Sequence, residues 1–75
     1  MKTYKYSVLI EQDEDGMLVA GVPDLPGCHT QAKNMPQLLK RAEEAIRLCL
    51  QVRKEEGKTL RPDTFVGFQQ LNISL

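Results

Sequence analysis

The side chains able to do chemistry are few and scattered. His29 is the single histidine, and it directly follows Cys28. A Cys–His nucleophile pair needs thiol and imidazole on one side, but neighbours on a strand point to opposite faces. That pair fails on direction, so Cys28 reads as a small packed hydrophobe, with redox sensitivity as the alternative. Cys49, on an apolar helical stripe, reads the same way. The acids Asp13, Glu14 and Asp15 crowd one turn, and Asp24 lies beyond it. Divalent-metal binding needs ligands spaced to converge on one ion. Consecutive turn side chains diverge into water instead, so these are read as turn-forming acids. The glycines at 16, 21, 27, 57 and 67 are isolated and build no phosphate-cradling loop. No Ser-His-Asp set exists. Neither enzymatic activity nor a metal or cofactor is expected.

Composition sets matching bounds. The chain has 75 residues, 41% hydrophobic and 27% charged, which fits one small globular domain over residues 1–75. Ten basic residues balance ten acidic ones, unlike the charge of a dedicated nucleic-acid binder. Two cysteines are too few for a disulfide framework and lack metal-ligand spacing. No run approaches the roughly 20 apolar residues of a membrane span. The opening MKTYKYSVLIEQ has a charged interior, unlike a signal peptide. A cytoplasmic protein is expected.

Local patterns set the elements that position these residues. Tyr4, Tyr6, Val8 and Ile10 alternate with Lys5, Ser7 and Leu9, which predicts a strand over Thr3 to Glu11 with one buried face. Asp15-Gly16 favours the positive φ angles of a tight hairpin. Met17 to Val22 is mostly apolar and predicts a central strand. Pro23 and Pro26 stop it, and Cys28 to Ala32 could form a short third strand. Asn34 is a good N-cap, Pro36 fits the first helical turn, and Gly57 fits a C′ position, so a helix is predicted up to Glu56.

Leu38, Ala42, Ala45, Ile46, Cys49 and Val52 form its apolar stripe, flanked by Leu39 and Leu50 on one side and Leu48 on the other. That arc is wider than one sheet face requires. A second buried surface is expected. Leu71, Ile73 and Leu75 alternate with Asn72 and Ser74, predicting a fourth strand within Phe65 to Leu75. The order βββαβ makes an α+β two-layer sandwich, one long helix on a small sheet.

The strand-end block Val22-Pro23-Asp24-Leu25-Pro26-Gly27-Cys28, preceded by the Asp15-Gly16 turn and followed by Glu43-Glu44-Ala45-Ile46 on the helix, resembles the HicB-like antitoxin family. The likeness runs over almost the whole chain, and the PDLPGC block is its most specific part. Many members begin the helix with Gly-x-Thr before a Glu-Ala pair, whereas here Ala32-Lys33-Asn34 leads into Gln37-Leu38. The resemblance implies a degenerate ribonuclease-H-like fold without catalytic acids. It also implies a partner, a small HicA-like toxin that degrades mRNA and whose active site the antitoxin masks. Family members with a C-terminal DNA-binding domain repress their operon. A chain stopping at Leu75 leaves no room for one, so direct DNA binding is not expected.

Two main readings compete. In the first, a toxin-neutralising module uses Asp13, Glu14, Asp15, Asp24, Leu25, Pro26 and Cys28 as its partner-binding residues. In the second, a free-standing homo-oligomer, dimer or tetramer, buries Leu39, Leu48, Leu50, Leu71 and Ile73. A weak RNA binder using Tyr4, Tyr6 and the helix arginines is a third.

Overall fold

The computed structural model describes residues 3–58 and 66–75. Three short strands form an antiparallel sheet in the order β1-β2-β3: β1 (Leu9–Gln12), β2 (Leu18–Gly21) and β3 (His29–Ala32). Among the described residues one helix, α1 (Met35–Glu55), follows and packs against β3 and β2. The α+β arrangement expected from the sequence is present.

Side-chain alternation decides which face is buried. Ile10 pairs across to Ala20 and Gln12 to Leu18, while Ala20 pairs to Thr30 and Leu18 to Ala32. These rows face the helix. Leu9, Glu11, Val19, Gly21, His29 and Gln31 occupy the other face. Beneath α1 two clusters form. Ala20, Ala32, Leu38 and Ala42 make the first, with Val8 and Leu18 packed against it. Val22, Leu25 and Cys28 make the second, joined by Tyr6, Ala45, Ile46, Cys49 and Leu50.

The helix is closed at both ends. Asn34 is extended, and its side-chain oxygen accepts the Gln37 N–H at 2.9 Å, while Pro36 occupies the first turn. At the other end the Gly57 N–H donates to the Lys54 carbonyl and the Lys58 N–H to that of Arg53. This is a Schellman closure, which requires the positive φ of 77° that Gly57 adopts. Arg53 and Lys54 sit in the last turn, where positive charge suits the helix dipole. Glu43 pairs with Arg47 at 2.8 Å on the exposed face, an arrangement of small energetic weight.

Three expectations need correction. The first strand pairs only over Leu9–Gln12, not from Thr3. Its partner β2 ends at Gly21, where Val22 turns into Pro23, so residues before Leu9 have no ladder beside them, although Tyr6 and Val8 still pack inward. The hairpin is not the two-residue type that Asp15-Gly16 suggests. Gly16 has φ 85° and no other residue of the turn has positive φ, so the turn is wider. It is closed by Asp13 N–H to the Met17 carbonyl and Gly16 N–H to the Asp13 carbonyl.

The predicted fourth strand is the third correction. Its start at Phe65 lies outside the described residues, and residues 66–75 join no ladder and are exposed throughout. Phe68 and Gln70 approach Val8 to Glu11 but leave a gap of about 570 Å³ instead of backbone pairing.

Leu38 is the largest fully buried side chain, so it carries most of what the small first cluster can contribute. Leu38→Ala is expected to cost about 3 kcal/mol, a large share of the stability of so short a chain. Leu48→Ala, at a position 63% exposed, is expected to change stability by less than about 0.5 kcal/mol. Urea unfolding followed by circular dichroism measures both.

Candidate functional site

The connection from β2 to β3 is built from two consecutive turns. In Val22-Pro23-Asp24-Leu25, the Leu25 N–H donates to the Val22 carbonyl at 3.0 Å; in Leu25-Pro26-Gly27-Cys28, the Cys28 N–H donates to the Leu25 carbonyl at 2.9 Å. Proline takes the second place of each turn, where its fixed φ is already correct. Gly27 has φ 83°, as the third place of the second turn requires. The Val22 N–H closes the loop onto the Cys28 carbonyl at 3.0 Å. Leu25 and Cys28 are buried, 3% and 4% exposed, while Pro23, Pro26 and Gly27 stand at the surface. The loop is thus pinned from below and presents a rigid outer rim.

That rim borders the sheet face that α1 leaves uncovered. A shallow depression of about 370 Å³ has Leu9, Val19 and Gly21 as its floor and Glu11, His29 and Pro26 at its margin. Leu9 and Val19 make its floor apolar.

The expected partner-binding residues separate into three roles. Leu25 and Cys28 act from inside, holding the loop, and offer no contact surface themselves. Pro26 lies at the loop rim, with Asp24 half-buried beside it. Asp13, Glu14 and Asp15 lie at the far end of β2, since extended chain from Met17 to Pro23 at about 3.3 Å per residue spans about 20 Å. The three acids also differ from one another. One carboxylate oxygen of Asp13 accepts N–H bonds from Asp15 and Met17, each at 2.9 Å, which makes it the builder of the turn. Glu14 and Asp15 are the exposed charges it displays.

Leu9, Glu11 and Val19 were not singled out by sequence reasoning, and His29 was weighed there only as half of a failed pair with Cys28. The period-two alternation of the first two strands places three of them on the face away from the helix, and His29 joins them by register.

The expected interface residues separate too. Leu39 and Leu48 are exposed on α1, and Leu71 and Ile73 are exposed beyond it, whereas Leu50 is half-buried against the second cluster. Tyr6 packs into that same cluster, so the two tyrosines make no paired stacking platform. Tyr4 stands beside Arg47 and Lys54, which brings basic side chains to it that its own strand does not. Among the described residues, no group of three or more His, Cys, Asp or Glu side chains can hold a metal ion. No helix there is long and apolar enough to cross a membrane.

The two cysteines, distant in sequence, meet in the second cluster, and both are free thiols. Burial, then a hydrogen bond with Cys49, then repulsion from it push the Cys28 thiol up from 9.0 to about 12. Folded protein therefore keeps the Cys28 proton that unfolded chain releases near pH 9. The Cys28 contribution to stability is expected to be constant below that pH and to be lost as pH rises from about 9 towards 12, read by urea midpoints at successive pH values. Alkylation of the native protein at pH 8 is expected to modify Cys49 first, and Cys28 only after denaturation, as mass spectrometry of digests would report.

Comparison with known proteins accords with this arrangement. Residues 6–72 match the family described as HicB_like antitoxin of bacterial toxin-antitoxin system. A UPF0150 protein of Archaeoglobus fulgidus is 46% identical over 71 residues, covering 92% of this chain and 94% of the relative. A UPF0150 protein of Synechocystis is 35% identical over 73 residues, covering 97% and 100%. One of Thermoplasma acidophilum is 42% identical over 59 residues, covering 79% and 86%. No solved structure matches the chain significantly. With the family match spanning the sheet, the PDLPGC loop and the helix together, the chain belongs to the HicB-like antitoxin family.

Proposed function

We propose that the protein is a non-catalytic cytoplasmic antitoxin that binds a small HicA-like, mRNA-degrading toxin and covers its active site. The observation that carries this reading is the uncovered sheet face bordered by the doubly turned loop. One face of the sheet is occupied by α1, and the other offers Leu9 and Val19 beside a rim of Pro23, Pro26 and Gly27 that is already fixed. A degenerate ribonuclease-H-like scaffold, as the family resemblance implies, suits a protein whose work is steric.

Charge supports the choice of partner. A toxin that grips RNA needs a basic surface; Glu11 is an exposed acid on the open face, and Glu14 and Asp15 are exposed in the hairpin at the far end of β2. Such charges act mainly on the rate of encounter and on the exclusion of wrong partners. Affinity on this reading comes from the apolar floor and the rigid rim, because a pre-organised loop loses little freedom on binding.

The deciding experiment is capture of partners by the tagged chain from a lysate of its source organism. A stoichiometric small basic ribonuclease is expected, and its mRNA cleavage should stop when the chain is added back. A captured ribonuclease that still cleaves in the complex overturns the masking mechanism. With that complex in hand, Glu14→Lys with Asp15→Lys is expected to slow association about tenfold at low salt and flatten its salt dependence. Asp13 is left intact because the turn depends on it. Val19→Lys, on the open face, is expected to speed dissociation instead, and surface plasmon resonance separates the two effects.

A further inference from the structure

Cys28 and Cys49 are the only cysteines of the chain, and both are free thiols. The fold brings them together. Cys28 closes the PDLPGC loop and is buried, and Cys49 packs from α1 against the same cluster. The two thiols lie within hydrogen-bonding reach of each other. The proposed function uses neither sulfur as a contact, so the pair is chemistry left unassigned.

The pair is open from one side. Cys49 is half-buried and borders a surface depression of about 340 Å³ shared with Pro26, Leu48, Val52 and Arg53, from which a small oxidant can approach it. Cys28 lies behind, and burial first among several causes holds its proton. The hold of α1 on the rest of the fold also changes along its length. Near the helix start, the Arg41 side chain donates to the Gln31 carbonyl of β3 at 2.8 Å. Further along, Ala45, Ile46, Cys49 and Leu50 meet Leu25 and Cys28 by apolar packing. The two sulfurs lie across that second junction.

We propose that Cys28 and Cys49 form a reversible redox site, which hydrogen peroxide converts to an intrachain disulfide tying the PDLPGC loop to α1. Cys49, on the open side, reacts first. Its thiolate sulfur attacks one peroxide oxygen, the O–O bond breaks, the departing hydroxide leaves as water, and Cys49 becomes a sulfenic acid. The Cys28 sulfur then attacks the Cys49 sulfur. The S–O bond breaks, and the departing hydroxide takes the Cys28 proton and leaves as a second water. Two thiols have lost two electrons, and one peroxide has become two waters. Each cysteine has one rotatable side-chain bond, so two small torsional changes bring hydrogen-bonded sulfurs to the roughly 2 Å of a disulfide. A dithiol reductant returns both thiols by exchange. The consequence is mechanical: the loop can no longer lift from the helix. No toxin is needed, so this inference stands apart from the proposed function.

The test treats the reduced, folded full chain with hydrogen peroxide and follows intact mass, digests and urea unfolding. A loss of two hydrogens is expected, with the Cys28 and Cys49 peptides joined, and dithiothreitol should reverse it. The urea midpoint is expected to rise on oxidation by about 1 M or more. In Cys28→Ala, peroxide is expected to leave Cys49 as a sulfenic acid that dimedone traps. In Cys49→Ala, oxidation of Cys28 is expected to be at least about tenfold slower, and the urea midpoint should not rise. The measurements on the parent chain decide the matter even where a variant folds poorly. Addition of oxygen without loss of hydrogens overturns the proposal, as does a disulfide between two chains on a non-reducing gel. A link that forms only in urea, or that lowers the midpoint, overturns it too.

Discussion

Close approach of one helix to a sheet of very short strands is the constraint on which this molecule rests. Ala20 and Ala32 on the sheet and Ala42 on the helix keep the two layers close around Leu38. Larger residues there would lift α1 and uncover the second cluster, which holds the PDLPGC loop in place. The loop is therefore rigid for two reasons acting in series: its own paired turns, and the Leu25 and Cys28 side chains locked under the helix by Ala45, Ile46 and Cys49. On the proposed function, the surface that meets a partner would be fixed by residues that the partner does not touch.

Much of this was legible in the sequence because it is local. Asn34, Pro36 and Gly57 mark the helix ends within a residue, since each supplies a backbone geometry or a capping atom that only a helix end needs. Two prolines and a glycine in PDLPGC specify turns by fixed and positive φ, whatever surrounds them. The tyrosine, valine and isoleucine alternation foretold the helix-facing side of the first strand, as Tyr6 and Val8 show. The family was legible for the same reason, because its most specific block is one of these local structures.

What was not legible depends on partners distant along the chain. An alternating segment such as Leu71 to Leu75 has the pattern of a strand, but a ladder exists only where another edge lies alongside. Cys28 and Cys49 read as separate small hydrophobes and only the packing of α1 over the loop makes them neighbours. Asp13, Glu14 and Asp15 look alike in a row, yet the hairpin gives Asp13 two backbone donors and leaves its neighbours to solvent. The seven residues expected to bind a partner formed one set by sequence and became pillars, rim and distant charge once β2 was seen to separate them.

The Arg41 contact to the Gln31 carbonyl has a further consequence for how the protein behaves at high concentration. A sheet open on both sides can accept a strand on the left and another on the right, and such units stack into fibres without limit. Arg41 occupies the Gln31 carbonyl on β3, so a strand docking on that edge would have to displace it. At high concentration, a strand approaching β3 would therefore meet a charged side chain that a bare edge lacks.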